Sequence, residues 1–362
     1  MPEVSVAGRV CHHACVPPLP LIHEPDEMTP AWLTSALQPS YPDANVAAFS
    51  ASPVGTGLMA RSYRLRLEGE GGIPDSVVAK VPSDVASTRE LGARAYQREV
   101  GFYRDLAATV DGRVPTCHHA DISDSGSEFV LLLEDITPAR QGDQLTGCPP
   151  EDARRAIANL ARLHASTWGR DDAFSWLDDG AGSGQDLVLF MRMAMDAFEP
   201  RFVDLVEPDA MQVFNAFADA ADRWQAAEPS TRSMVHGDYR LDNLLFSTTD
   251  DSVAAVDWQT VTFASPARDL AYFLGNSLGT EDRRSHEDEL IDHYLEVLAE
   301  GGVAHDRATL CDELVHGAFQ GPLVTALGAF TAARTERSEG MFAAMANRCA
   351  AQILDHDGLA LL

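Results

Sequence analysis

The chain has 362 residues, 45% hydrophobic, 23% charged and 7% aromatic, with 27 Lys and Arg against 55 Asp and Glu and a formal net charge of −28. That length allows two packed units with separate cores, and no apolar run reaches the roughly 18 residues a membrane span requires. Phosphate recognition is driven by basic residues, so neither nucleic acid nor a membrane surface is expected as a partner. The acidic excess is spread along the chain, as in surfaces that serve only solubility, and says nothing about substrate. The N-terminus has no sustained apolar core of a secretory signal, so the cytoplasm is the expected location. Six cysteines do not make a disulfide scaffold in a chain this long. The Cys11-His12-His13-Ala14-Cys15 cluster fits no zinc spacing.

Residues 1–27 hold Pro17, Pro18, Pro20 and Pro25 without periodicity and read as a mobile tail. Thr29 caps a predicted helix that begins at Pro30, with Trp32, Leu33 and Leu37 on its apolar face. Strand-like runs follow at Val46–Pro53, Ser62–Leu67 and Ser76–Val81. A helix is predicted over Ser87–Ala108, with Val100, Phe102, Tyr103 and Leu106 mostly on one side. Two more strands are predicted at His118–Ile122 and Glu128–Leu133. Beyond 137 the pattern turns helical, over Glu151–Trp168, Leu187–Phe202, Asp209–Ala227, Glu281–Ala299, Ala308–Phe319 and Arg337–Leu354. Between these helices lies an island, Met234–Asp257, of two short apolar runs around a polar loop. The expectation is an α+β, bilobal chain with a tail over 1–27, a small β-rich N-lobe over 28–136 and a larger helical C-lobe over 137–362. The C-lobe carries the catalytic loop and substrate pocket, and ligand sites favour the cleft between such units.

The most specific motif is His236-Gly237-Asp238-Tyr239-Arg240-Leu241-Asp242-Asn243, followed by Val256-Asp257-Trp258-Gln259. In-line phosphoryl transfer needs a carboxylate at the attacking hydroxyl and oxygen ligands for magnesium on the phosphates. Asp238 supplies the first. Asn243, on the same loop, and Asp257, returning after a short strand, supply hard oxygens of the kind magnesium prefers. Upstream, Val77-Val78-Ala79-Lys80 ends an apolar strand in a lysine suited to hold phosphates. Glu99 on the next helix is placed to orient it, with Glu90 a weaker competitor. Gly55 and Gly57 lie between two predicted strands, where free N–H groups of a turn can cradle phosphate oxygens. The main chain from Glu134 to Ile136 links the lobes and can offer hydrogen bonds to adenine. Read singly, Lys80 snorkels at a strand end and the aspartates are turn residues; their combination and order favour chemistry.

These motifs resemble the aminoglycoside phosphotransferase/choline kinase superfamily, and look closer to its ecdysteroid-kinase-like (CHK kinase-like) branch. The His236–Asn243 loop, the Asp257-Trp258-Gln259 pattern, Leu131–Ile136, Leu160–Trp168 and Pro266–Ala271 carry the likeness, which runs from about Trp32 to the final helices. It implies a protein-kinase-like fold with Asp238 as catalytic base, Asn243 and Asp257 as magnesium ligands, Lys80 on phosphate and Glu99 orienting it. His236 would brace the loop and Asp269 anchor it. His164 is read as a packed helix histidine outside the site. Arg240 and Asp242 lie in a variable part of the loop and are left open between substrate and solvent. The expected activity is transfer of the ATP γ-phosphate, with magnesium, to a hydroxyl of a small molecule. A nucleotide-binding regulatory pseudokinase is the alternative, and transfer of AMP to a protein hydroxyl a third reading. Acceptor and oligomeric state stay open.

Overall fold

The computed structural model describes residues 19–55, 59–170, 177 and 184–362. The N-terminal part runs α1 (Pro30–Leu37), β1 (Asn45–Val54), β2 (Ala60–Glu70), β3 (Ser76–Pro82), α2 (Ala86–Gly101), β4 (Cys117–Ile122) and β5 (Phe129–Glu134). Its five strands form one antiparallel sheet in the order β1-β2-β3-β5-β4. Side chains alternate faces along a strand, and that alternation decides where Lys80 points. Val77, Ala79 and Val81 share the outer core with Trp32, Leu33 and Leu37 of α1. Lys80, between Ala79 and Val81, therefore lies on the opposite face. It pairs in register with Leu131, which packs with Tyr96 and Val100 of α2.

Thr29 caps α1 as the sequence indicates, its hydroxyl accepting from the Trp32 amide at 3.1 Å. The expected tail boundary shifts. Residues 19–27 are packed on the N-lobe, with Ile22 buried in the outer core and the Pro20 carbonyl accepting from the Trp32 indole at 2.9 Å. Arg61 Nη1 also donates to Glu24 at 2.6 Å. Pro-rich composition concealed this because the segment is held by tertiary contacts rather than by local periodicity. The helix expected through Ala108 stays α-helical only to Gly101, then widens into a π turn over Phe102–Leu106 and a tight turn over Ala107–Thr109.

The C-terminal part contains β6 (Ala139–Gln141), α3 (Pro150–Thr167), α4 (Gly184–Phe202), α5 (Pro208–Ala226), β7 (Ser233–Val235), β8 (Leu244–Ser247), β9 (Val253–Ala255), β10 (Thr262–Ala264), α6 (Ala267–Ser277), α7 (Thr280–Glu300), α8 (Arg307–Gly317), α9 (Gln320–Thr331) and α10 (Glu336–Asp355). Two helices are absent from the sequence reading. Every residue of α6 except Arg268 is buried, so it shows no amphipathic stripe. α9 is short and apolar, with Gly321 set against Cys349 of α10. α6 is the central helix of the lobe, packed by α3, α7, α8, α9 and α10. The inner core of the sheet is continuous with this helical core. Among the described residues, no helix is long and apolar enough to cross a membrane.

Candidate active site

The polar loop of the island joins β7 to β8, and its backbone is held from both sides. Asp269, fully buried on α6, accepts from the His236 amide at 2.6 Å and the Gly237 amide at 2.9 Å. Burial raises the Asp269 pKa, but His164, His236 and the amide bond outweigh it, leaving the carboxyl below its ordinary range. On the other side, Gln320 Nε2 donates to the Gly237 carbonyl at 2.7 Å. Gly237 has φ +80°, and a Cβ there would meet the Thr260 carbonyl oxygen at 2.6 Å, so glycine is required. His236 Nε2 lies 3.0 Å from the Val256 carbonyl, while Nδ1 lies 3.3 Å from the Asp238 amide. A carbonyl only accepts and an amide only donates, so Nε2 carries the proton. This imidazole ties the loop to the segment that carries Asp257.

The loop presents Asp238 in a complete hydrogen-bond frame. Oδ1 accepts from the Tyr272 hydroxyl at 2.8 Å; Oδ2 accepts from Arg240 Nε at 3.1 Å and Asn243 Nδ2 at 3.0 Å. Asn243 Nδ2 also donates to the Asp238 carbonyl at 2.9 Å. Both acceptors belong to Asp238, which fixes the amide orientation and leaves Asn243 Oδ1 as an unshared oxygen among the described residues. The Val256 amide donates to the Asn243 carbonyl at 2.9 Å, so Asn243 and Asp257 are brought to one place by direct backbone pairing.

Asp257 has φ +67°, in the left-handed region where a non-glycine residue is uncommon and Asp is among the tolerated types. Its Oδ1 accepts from Lys80 Nζ at 3.0 Å, and Lys80 Nζ also donates to Glu99 Oε1 at 2.7 Å. One ammonium therefore joins β3, α2 and the segment after β9. Burial pulls the Lys80 pKa down, but Asp257 and Glu99 outweigh it and hold the ammonium above its ordinary value. Glu99 is driven up by burial against the opposing charge of Lys80. Burial also acts upward on Asp257, where Lys80 wins and the carboxyl sits below its ordinary value. Trp258 stacks on Phe102 at 3.8 Å between centroids and 8° between planes, fixing the π turn after α2 against the same segment.

The structure thus brings Lys80, Glu99, Asp238, Asn243 and Asp257 together, while Glu90 is an exposed residue of α2. Gly55 directly follows β1 with φ +73°; Gly57 lies outside the described residues. The Glu134 amide donates to the Thr116 carbonyl at 2.8 Å, and its carboxylate is taken by Arg113. Asp135 is likewise spent on Arg64 and Ser76. The main chain of Ile136 carries no protein hydrogen bond among the described residues. Asp242, left open by sequence, is bonded by the Gln144 amide at 2.9 Å and by Arg337 at 3.0 Å, a tie between the loop and α10.

Tyr272 and Gln320 are the residues sequence reasoning missed, while His164, read as a packed helix histidine, is buried on α3. His164 Nε2 comes within 3.5 Å of Asp269 Oδ2, and its Nδ1 within 2.8 Å of the Tyr294 hydroxyl. The one available signal was the position of Tyr272 three residues after Asp269, on the adjacent face of a helix.

For magnesium, the donor set is Asn243 Oδ1 and Asp257 Oδ2, both hard oxygens without another hydrogen bond among the described residues. That fits a metal held by few side chains and by substrate phosphates. No group of three or more His, Cys, Asp or Glu able to hold a metal is present among the described residues, and such a site does not need one.

An antiparallel sheet whose buried lysine pairs with a helix glutamate, above a helical lobe bearing a His-Gly-Asp loop, defines a bilobal kinase-like phosphotransferase fold. The chain belongs to the ecdysteroid kinase-like family, whose profile matches residues 59–303. The GDP complex of wild-type aminoglycoside 2'-phosphotransferase-IIIa has a similar fold, with TM-score 0.53 and 14% identity over 89% of this chain and 99% of that one. So has the ethanolamine kinase of Plasmodium vivax, with TM-score 0.52 and 10% identity over 85% and 83%. At these identities the likeness is one of fold. Acyl-CoA dehydrogenase family member 11 of Gallus gallus is 26% identical over 162 residues, 44% of this chain and 20% of that protein. The chain therefore spans about a fifth of the length of that curated relative.

Proposed function

We propose that this chain is a small-molecule kinase that moves the γ-phosphate of ATP, with magnesium, to an alcohol. The observation that carries the reading is the position of Lys80, bonded at once to Glu99 and to Asp257. This supports a phosphate-holding role for Lys80, whose ammonium lies beside Asp257 and one backbone pair from Asn243. In this reading Lys80 takes the α- and β-phosphates while Glu99 orients it, and the turn containing Gly55 and Gly57 covers the phosphates. Adenine is held at the main chain of Ile136. The fold neighbour solved with GDP supports a nucleotide in the cleft.

Asp238 is held by Tyr272, Arg240 and Asn243 so that a lone pair meets the acceptor hydroxyl. As the hydroxyl oxygen bonds to the γ-phosphorus, the bond from that phosphorus to the bridging oxygen of ADP breaks and the proton passes to Asp238. Asn243 and Asp257 would hold a magnesium ion, which would supply charge neutralisation on the phosphates. The frame around Asp238 is intact, which supports turnover over a regulatory pseudokinase.

The test is a screen of hydroxylated compounds against the purified chain with Mg·ATP, read by mass spectrometry. A gain of about 80 mass units on an acceptor, dependent on magnesium, is expected for phosphoryl transfer. A gain of about 329 units would mean AMP transfer instead. Neither phosphorylated acceptor nor magnesium-dependent ADP release from any compound would sink the reading.

A further inference from the structure

Arg240 stands two residues beyond Asp238, and the fold sets its guanidinium against the carboxylate. Nε donates to Asp238 Oδ2 at 3.1 Å, and Nη1 donates to Met341 Sδ of α10 at 3.3 Å and lies 3.6 Å from Asp242 Oδ2. A guanidinium carries five N–H donors and no acceptor. Nη2, which holds two of them, makes no hydrogen bond to any described residue. The side chain is 21% exposed, and Nη2 is not among the buried atoms that lack a partner, so it opens to solvent.

Holding Asp238 in place accounts for one of these donors. The carboxylate is already bonded by Tyr272 at Oδ1 and by Asn243 at Oδ2, and Arg240 adds only Nε. What arginine supplies beyond that bond is a planar set of N–H groups suited to an oxyanion. Burial acts downward on the Arg240 pKa, but Asp238, Tyr272 and Asp242 outweigh it and keep the group charged.

The location of the unmatched donors decides which oxyanion they meet. Asp238 Oδ2 accepts from both Arg240 Nε and Asn243 Nδ2, so the guanidinium stands beside the Asn243 amide. The Asn243 carbonyl is paired with the Val256 amide, next to Asp257. The Arg240 charge acts at that point too, as one of the cations that lower the Asp257 pKa. Lys80 reaches Asp257 from β3, with its ammonium shared between Asp257 and Glu99. A phosphoryl group that meets a hydroxyl at Asp238, close to the oxygens of Asn243 and Asp257, therefore lies between Lys80 and Arg240.

We propose that Arg240 is a further catalytic residue, whose Nη2 donates to an oxygen of the transferring γ-phosphoryl group. The proposal rests on the phosphoryl-transfer reading and adds a residue to it. In a loose transition state, negative charge spreads over the three equatorial oxygens of the γ-phosphorus. Nη2 takes one of these while Nε keeps Asp238 in line, so one rigid plane sets base and electrophile relative to each other. Arg240 exchanges no proton; the hydroxyl proton still passes to Asp238. An anionic group on the acceptor is the other oxyanion of matching chemistry, and a measurement made without acceptor separates the two.

The test titrates the full chain by calorimetry with Mg·ADP and with the magnesium complex of adenylyl imidodiphosphate, a non-hydrolysable ATP analogue, with no acceptor present. The unaltered chain is expected to prefer the triphosphate analogue. Arg240→Gln is expected to reduce that preference by about ten-fold or more, the effect of one charge-assisted hydrogen bond, while ADP affinity stays within about two-fold. A residue that only shaped the loop would weaken both nucleotides or neither. Arg240→Lys keeps the charge without the planar fork and is expected to lose about three-fold of the preference. It decides the question if the glutamine variant does not fold. A folded variant that keeps the full preference, a parallel loss of both nucleotides, or equal affinity of the unaltered chain for the two would each overturn the proposal and leave phosphoryl transfer standing. An unaltered chain that binds neither nucleotide would overturn the phosphoryl-transfer reading and this proposal with it.

Discussion

The Tyr272 hydroxyl donates to Asp238 Oδ1 at 2.8 Å from a helix, α6, that lies wholly inside the C-lobe. Burial, reinforced by the neighbouring Asp238 charge, raises the Tyr272 pKa well above the ordinary phenol value, so this tyrosine remains a donor at any working pH. Tyr272 thereby orients the carboxylate without competing for its proton. Replacing it with phenylalanine removes one charge-assisted bond, of a kind that contributes about 1.5–3 kcal/mol. Steady-state kinetics of Tyr272→Phe should show kcat lowered about ten-fold or more with KM for ATP unchanged. An unchanged kcat would remove Tyr272 from the site.

The two acidic centres should separate in their effects. Asp238→Asn keeps the shape of the loop but removes the proton acceptor, so turnover should fall by about 10²- to 10⁴-fold while ATP binding persists. Asp257→Ala should instead abolish the magnesium dependence of ATP affinity, because it deletes a metal oxygen and one partner of Lys80. Calorimetric titration of ATP with and without magnesium distinguishes them. If Asp257→Ala binds Mg·ATP as the unaltered chain does, the metal assignment is wrong.

Asp269 predicts a pH signature in stability. Its folded pKa lies below the unfolded one, so its stabilisation is fully present above the ordinary aspartate value. It is lost as pH falls through that value toward the lower folded pKa. Asp269→Asn should therefore flatten the acid side of the stability profile, below the ordinary aspartate range. At neutral pH the variant should lose about 1–3 kcal/mol, since Asn cannot accept from both the His236 and Gly237 amides equally. Urea midpoints across that range check the prediction, and an identical acid limb in the variant would contradict it.

Gly237→Ala tests whether the loop depends on one backbone conformation. A left-handed alanine costs roughly 1–2 kcal/mol before any contact is counted. The added Cβ also meets the Thr260 carbonyl oxygen at 2.6 Å, which is backbone and cannot rotate away. A denaturant midpoint lowered by about 2 kcal/mol or more is expected, together with loss of turnover. A stable, active variant would show that the loop tolerates another path.

Much of the site was legible because its residues carry chemistry in fixed order along the chain. Lys80, Glu99, Asp238, Asn243 and Asp257 recur in the structure as one connected set. The alternation of Val77, Ala79 and Val81 already implied that Lys80 faces away from them. The partners of that set were not legible. Tyr272 and Gln320 sit on helices buried almost all round, where no polar-apolar periodicity marks them, and their distance in sequence from Asp238 hides the contact. Glu134 looked available at the hinge, but only the folded chain brings Arg113 and Thr116 to it.

The order of residue types by itself determined the bilobal organisation and the group of side chains able to handle phosphate, because strand alternation, helix caps and short functional loops are local properties. Tertiary structure alone decided which side chains hold those groups in place, among them Tyr272 on Asp238 and Gln320 on the Gly237 carbonyl. Those features arise where helices distant in the chain pack together, and burial there strengthens each polar contact and penalises each one left unmade.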